Sequence, residues 1–283
     1  MTLIFHDMPR LPHSRPALPG IEAHAASRVL IVAIGLSAAL AVPSLAALLL
    51  DERLLNGISV WSKPLKFQAS LALMLGTMLL LLPLIESTSK TGWGVWLASL
   101  TAAVTATGEV LYITLQAARG RASHFNAETP IEAMAYNIMG VGAAFLVLSS
   151  FVIGLYLVFR PAQSSPRGLQ LGGAWGLILG SLLTLVTAFA LGGGQIDGPG
   201  HWVGGIKTDI GGLPLFGWSR TGGDLRVPHF FATHIMQALP LAGLMLDRFA
   251  PRWIIPGLAA SALISIAVVA ATFAQAVAGR AFF

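Results

Sequence analysis

The sequence contains no cysteine and few charged residues. Without cysteine the chain can form no disulfide, no thiolate metal site, no haem attachment through a Cys-x-x-Cys-His motif and no cysteine nucleophile. Lys, Arg, Asp and Glu make up only 10% of the 283 residues, whereas an average soluble domain contains roughly a quarter. These shortages exclude a disulfide-stabilised fold and an ordinary soluble domain.

Long apolar runs take the place of the missing charge. Hydrophobic residues make up 55% of the chain, and the mean hydropathy is +0.76. A helix needs roughly 20 apolar residues to cross a bilayer core of about 30 Å, and seven runs reach or approach that length. They are residues 29–50, 67–85, 93–117, 133–159, 171–191, 227–246 and 253–279. We therefore expect an all-α integral membrane protein, a bundle of seven transmembrane helices.

The organisation predicts one membrane domain, residues 29–283, after a flexible and uncleaved N-terminal tail, residues 1–28. Most connections are short, which makes consecutive helices antiparallel neighbours. The exception is the glycine-rich connection of residues 192–226, between the fifth and sixth predicted helices, which contains Trp202, Phe216 and Trp218. Connections of this length are uncommon in compact domains. This one fits either a lid over a site or a hairpin anchored in the headgroup zone by its tryptophans.

The balance of cations gives a weak orientation. Eight Lys or Arg residues fall on the N-terminal side of the predicted membrane and nine on the other. The first group lies in short, featureless connections, as topology signals do, so we expect a cytoplasmic N-terminus in a bacterial inner membrane. The net charge of +5 does not indicate nucleic-acid binding, because the cations are not clustered on a soluble domain.

Polar residues converge on one predicted face of the membrane. Three segments, residues 61–67, 109–126 and 218–237, fall on that face if the helices alternate in direction. They contain Lys63, Lys66, Glu109, Arg119, Arg121, His124, Asp224, Arg226, His229 and His234. This convergence predicts a site that takes a small anionic ligand or cofactor.

Glu109 is the candidate catalytic residue. It is the one formal charge inside an apolar run, and a carboxylate there costs about 2.5–3.5 kcal/mol on insertion scales, so it almost always faces the bundle interior or water. Tyr112, Gln116 and Arg119 continue the same helical stripe. The alternative is a structural carboxyl that hydrogen-bonds to a neighbouring helix.

Histidines and cations in the same segments suggest a cofactor. His124, His229 and His234 are candidate ligands of a haem b iron or a transition metal, and Arg119, Arg121, Arg226 and Lys66 could bind haem propionates. The spacing of His229 and His234 is poor for joint ligation of one metal ion, which prefers three or four residues. Purely structural roles are the alternatives. The arginines would cap a helix, the lysines would anchor a helix at the membrane surface, and His229 would be a hydrogen-bonded residue at a helix start.

Known seven-helix families do not fit the motifs. The last run lacks the lysine of microbial rhodopsins and the His-x-x-x-His of alkaline ceramidases and adiponectin-type receptors. Three classes of function remain. The chain is most readily a membrane oxidoreductase with haem or a metal, or else an enzyme acting on a lipid or other anionic amphiphile, or a proton- or ion-coupled transporter or receptor using Glu109.

Overall fold

The computed structural model describes residues 24–196 and 200–283. In these residues seven helices are long and apolar enough to cross a membrane. The helices are α1 (Ala25–Leu50), α2 (Ser62–Leu81), the short α3 (Ser87–Lys90), α4 (Trp93–Ala118), α5 (Pro130–Phe159), α6 (Arg167–Gly192), α7 (Arg226–Phe249) and α8 (Ile254–Val277). The predicted bundle is confirmed, and the chain is a polytopic helical membrane protein.

Several helices begin before the apolar runs that predicted them. Helix α2 begins at Ser62 rather than at residue 67, and α6 begins at Arg167 rather than at residue 171. The first turns contain Lys or Arg, whose long stems can lie along apolar surface while the charge stays polar, so hydropathy alone does not mark them. Helix α1 begins at Ala25, within the predicted tail. The remainder of that tail, residues 1–23, lies outside the described residues.

Two small hairpins interrupt the helices. Strand β1 (Leu54–Leu55) pairs antiparallel with β2 (Ile58–Ser59) around Asn56 and Gly57. Both turn residues have positive φ, as a two-residue turn of type I′ requires. Strand β3 (Trp202–Val203) pairs antiparallel with β4 (Gly223–Asp224). This second pair closes the long connection between α6 and α7 onto itself.

Contacts between connections divide the bundle into two ends. At one end the Asp247 carboxylate accepts hydrogen bonds of 2.7 Å from the amides of Gly168 and Leu169 at the start of α6. At the other end Arg53 Nη1 donates to the Ala118 carbonyl at 3.0 Å, and the Asp209 amide donates to the Asn56 carbonyl at 3.1 Å. The β1–β2 hairpin, the α4–α5 turn and the long loop therefore share one end, which we call the site face.

Helices α6 and α7 are held together by a row of glycines. Gly168, Gly172, Gly176 and Gly180 recur at every fourth position of α6. A methyl group at Gly176 would lie 2.8 Å from Pro240 Cδ, and one at Gly180 would lie 2.6 Å from Met236 Cγ. Small residues at such spacing let transmembrane helices approach closely. The close packing fixes α7, which contributes Arg226, His229 and His234 to the interior.

The bundle buries one main apolar core and leaves large apolar side chains on its outer surface. The main core includes the fully buried Leu75, Met78 and Leu157 of α2 and α5. On the outside, side chains such as Val32 and Phe189 are 61% and 72% exposed. An apolar exterior of this kind is suited to contact with membrane lipids, which the sequence predicts as the surroundings of the bundle.

Candidate functional site

Glu109 lies inside α4 and faces the protein interior. The residue is only 6% exposed, and its Oε2 is a buried oxygen without a hydrogen-bond partner. No hydrogen bond to the other carboxylate oxygen is recorded either, across the described ranges. Leaving a buried acceptor unpaired costs about 1–3 kcal/mol. The expected structural partner on a neighbouring helix is therefore not seen in the described residues.

Lys63, in the first turn of α2, is the cation whose charge acts on Glu109. Within the described residues its ammonium forms no ion pair and donates no hydrogen bond, and it lies 5.8 Å from the centre of the Phe67 ring. The side chain is enclosed by protein, yet it keeps accessible surface. Arg226, Glu109 and Asp209 all act on its charge, so Lys63 lies among ionisable groups of three other segments.

A tight turn after α4 brings His124 back towards Lys63. Gly120 has a φ of +67°, and the Arg121 amide donates to the Gln116 carbonyl, which ends the helix. Asn126 Nδ2 then donates to the Ala122 carbonyl at 2.8 Å and closes the turn around His124. Glycine is the residue best suited to the left-handed conformation at a helix end. The position of His124 is therefore fixed by the turn that Gly120 and Asn126 form.

His124 is neutral and lies within reach of the charge of Lys63. Its ring lies 5.4 Å from the Phe67 ring and 6.0 Å from the Tyr136 ring, between centroids. Burial, and then the charge of Lys63, hold the pKa of His124 well below its usual range. Lys63 thus acts on both Glu109 and His124. We call these three residues the acid–base site.

Arg121 is neutralised by two carboxylates. Arg121 forms ion pairs with Glu132 at the start of α5 and with Glu128, the latter at 2.9 Å. These contacts raise the pKa of Arg121, chiefly through its hydrogen bonds to Glu132. Gln116 Nε2 also donates to Glu132 at 3.1 Å. This network joins the end of α4 to the start of α5. The two carboxylates compensate the charge of Arg121, so a ligand anion is not needed to balance it.

Arg119 lies on the outer surface of the site face. It is exposed, and its Nη1 donates to Gln116 Oε1 at 2.7 Å. Its role in binding a cofactor stays a prediction. The side chain of Gln116, which the sequence placed on the same stripe as Glu109, is occupied by Arg119, Glu132 and the Ala122 carbonyl.

Arg226 and Lys66 hold the long loop against the bundle. Arg226 forms ion pairs of 2.6 Å with Asp224 and 2.9 Å with Asp209, and it donates to the Gly217 carbonyl. Lys66 Nζ donates to the Phe216 carbonyl at 2.9 Å. Two of the cations that the sequence offered for a cofactor therefore bind the chain's own loop. These contacts hold the loop against the bundle, and its role as a lid stays a prediction.

Aromatic side chains of the loop pack on α7 and on the C-terminus. The Trp218 ring, 6% exposed, stacks at 4.4 Å on Phe216 and meets Phe230 at 5.3 Å and Phe282 at 5.5 Å, between centroids. The Trp202 ring contacts the His201 ring in a tilted arrangement, with 3.8 Å between centroids. Aromatic packing therefore anchors the later part of the loop, from His201 to Trp218.

His201 and Asp209 form a buried polar pair within the loop. His201 Nε2 lies 3.6 Å from Asp209 Oδ1, too far for a hydrogen bond. Burial lowers the pKa of His201, and Asp209 only partly offsets it. Burial alone would raise the pKa of Asp209, but contacts with His201 and Arg226 outweigh it and the value is lowered. His201 is therefore neutral and Asp209 charged near neutral pH.

The two histidines of α7 bind different neighbours. His229 Nδ1 lies 3.2 Å from Thr187 Oγ1 on α6, and His234 Nδ1 lies 3.1 Å from Gln237 Oε1. Among the described residues no group of three or more His, Asp or Glu side chains could hold a metal ion. The structure therefore does not assemble His124, His229 and His234 into a three-ligand metal centre.

Sequence reasoning missed several residues of this region. His201 and Asp209 lie in an irregular loop, and nothing in their local pattern links them to Arg226. Tyr136 beside His124 comes from α5, which the sequence treated as a plain apolar helix, and the pairing of Glu132 with Arg121 was not predicted. The glycine row of α6 did have a readable signal, the repeated Gly-x-x-x-Gly spacing.

Comparisons with known proteins add no family. No protein-family model matches the chain, and neither curated proteins nor solved structures give a match. The functional argument therefore depends on the geometry of the site.

Proposed function

We propose that this membrane protein binds a ligand through an anionic group at the acid–base site, and that Glu109 exchanges a proton when the ligand binds. This is the chemistry of a proton-coupled transporter or receptor. One observation carries the proposal: the charges of Lys63 and Glu109 act on each other, but the two side chains make no ion pair in the described structure.

Unpaired ionisable groups inside a membrane protein are costly and usually functional. Here a ligand anion would bind the Lys63 ammonium, and the same group would accept a hydrogen bond from Glu109 when the carboxyl carries a proton. Glu109 Oε2 is fully buried, whereas Oε1 keeps solvent-accessible surface. The ligand would therefore meet Oε1.

The other interior cations support the choice of Lys63 as the anion-binding group, because they already have partners within the protein. Arg121 and Arg226 are paired with carboxylates of the protein, and Lys66 binds a loop carbonyl. Of the interior cations that the sequence singled out, Lys63 is the one whose ammonium is left without a hydrogen bond in the described residues. A bound anion would compensate it.

An enzyme acting on an anionic amphiphile is the second candidate. The neutral imidazole of His124 favours it, because a neutral histidine near a carboxyl and an ammonium can serve as a general base. In that case Lys63 would hold the anionic headgroup while His124 accepts a proton from the reacting group.

The haem or transition-metal prediction has no comparable support. The described structure contains no three-ligand metal group, and Arg121 and Arg226, which were to bind propionates, already have partners. A membrane oxidoreductase with haem b stays a prediction from the sequence.

Thermal stability in detergent tests the proposed function. The probes are acetate and phosphate as free anions, and decanoate and dodecyl phosphate as amphiphiles, with decanol and decylammonium as matched controls. A ligand at a hundred times its Kd stabilises by about 2.7 kcal/mol, so we expect an anion, but neither control, to raise the Tm. Lys63→Met should abolish the rise. No response to any anion, or an equal response in Lys63→Met, would refute the proposal.

A further inference from the structure

The hydrogen bonds of His234 fix the direction of a relay between α2 and α7. Thr77 Oγ1 donates its single hydrogen to the Leu73 carbonyl at 2.8 Å. It must therefore accept from Gln237 Nε2, which lies 3.1 Å away. The amide of Gln237 then turns its Oε1 towards His234 Nδ1 at 3.1 Å. Because Oε1 can only accept, Nδ1 must carry the imidazole hydrogen.

The same argument applies to His229 on another side of α7. Thr187 Oγ1 donates to the Leu183 carbonyl at 2.9 Å, so it accepts from His229 Nδ1 at 3.2 Å. A hydroxyl that bonds the carbonyl four residues back is common in transmembrane helices. Both histidines of α7 are thus held, when neutral, with the hydrogen on Nδ1 and a lone pair on Nε2.

Neither lone pair has a partner in the described structure. Neither imidazole ring makes a further hydrogen bond within residues 24–196 and 200–283. Both Nε2 atoms keep solvent-accessible surface. His229 is enclosed by protein and senses the charge state of His234. Two hydrogen-bond acceptors on α7, close enough for their charges to influence each other, are therefore left without a protein partner in the described residues.

We propose that His229 and His234 form an acceptor site that binds hydrogen-bond-donating groups of a ligand, hydroxyl or protonated amine, through Nε2. Thr77, Gln237 and Thr187 are its positioning residues. The site goes beyond the proposed function, since it uses neither Lys63 nor Glu109.

The geometry favours a hydrogen-bond donor over a metal ion. The histidines are five residues apart, about 140° round the helix, and their Nδ1 atoms are bound to α6 on one side and to the Gln237–Thr77 relay on the other. These attachments hold the rings apart. No third His, Asp or Glu completes a metal group in the part of the chain that the structure describes.

Nitrogen-15 NMR of histidine-labelled protein in lipid nanodiscs tests the relay. We expect His229 and His234, assigned with His229→Gln and His234→Gln, to show a protonated Nδ1 and an unprotonated Nε2. Gln237→Leu and the milder Thr77→Val should each shift His234 towards the other tautomer, while His229 is unchanged. Thr272→Val, which removes a back-bonded hydroxyl from α8, is the control. A hydrogen on Nε2 of both histidines in the wild type would overturn the proposal.

The ligand class is tested on the same sample. Methylammonium donates hydrogen bonds and tetramethylammonium does not, although both are small monocations. We expect methylammonium alone to move the Nε2 resonances, with the shift at His234 lost in Gln237→Leu. Equal shifts from both cations, or none from either, would overturn the donor assignment. Tight binding of one Zn²⁺ that is lost in His234→Gln would overturn it in favour of a metal site.

Discussion

Lys63 and Glu109 act on each other electrostatically, yet their charged groups form no ion pair in the described structure. Their neighbours behave differently, because Arg121 and Arg226 each bind two carboxylates. The contrast separates cations that stabilise the fold from a cation that is available to a ligand.

Substitutions of the two lysines of α2 should separate binding from structure. Lys63→Met keeps the stem and removes an ammonium without a hydrogen bond, so we expect unchanged Tm and at least tenfold weaker anion binding. Lys66→Met removes the donor to the Phe216 carbonyl, so the loop of residues 200–225 should be cleaved faster by protease while anion binding persists. Binding titrations and limited proteolysis measure the two effects. Equal loss of binding in both variants would contradict the distinction.

The Arg121 network should be important for stability. Arg121→Ala leaves the buried carboxylate of Glu132 without its main partner, and removing one member of such a pair destabilises the fold because the other member keeps its charge unpaired. Glu128 is the matched control, because its side chain is 70% exposed and a surface ion pair contributes below about 1 kcal/mol. Thermal unfolding in detergent should therefore show a large loss for Arg121→Ala and a small one for Glu128→Gln. Similar losses would show that Glu132 is not held by Arg121.

The glycine row predicts a sharp difference between two alanine substitutions. A methyl group at Gly172 would collide with the Leu239 carbonyl of α7, and overpacking costs about 1–3 kcal/mol. A methyl group at Gly35 on α1 would have nothing within 4 Å, so Gly35→Ala should be neutral or stabilising through helix propensity. The Tm of Gly172→Ala should fall, and that of Gly35→Ala should not. A fall of the same size in both would place no close contact at Gly172.

Acid should weaken the site face. His124 and His201 both have pKa values lowered by burial, so the unfolded chain binds protons more readily than the folded one below about pH 6.5. Stability is then complete above that pH and falls as the pH falls through it, by at most about 1.4 kcal/mol per pH unit for each histidine. We expect the Tm to drop between neutral pH and about pH 5. His201→Gln should reduce the drop, and an unchanged drop would show that His201 does not contribute.

The fold was readable from the sequence because hydropathy and helix length decide it. Seven runs of apolar residues predicted the seven long helices, with errors of a few residues at helix ends, such as the polar first turn that contains Lys63. The inward orientation of Glu109 was also predictable, since a carboxylate facing lipid would be costly.

Pairing was not readable in the same way. Arg226 looked available to a ligand because the sequence did not show that Asp224, two residues earlier, and Asp209, 17 residues earlier in an irregular loop, both pair with it. Arg121 looked available because Glu132 was not recognised as its partner across the α4–α5 turn. Which cation is left unpaired depends on tertiary contacts of this kind, and only the folded chain distinguishes Lys63 from its neighbours.

Proton exchange on ligand binding tests the central claim most directly. The anion that stabilises the wild type is added to weakly buffered protein, and a pH-sensitive dye reports protons taken up or released per bound anion. We predict a measurable proton change in the wild type that is lost in Glu109→Gln, while the latter still elutes as a monodisperse species. An equal proton change in Glu109→Gln, or anion binding without any proton change in the wild type, would contradict the account.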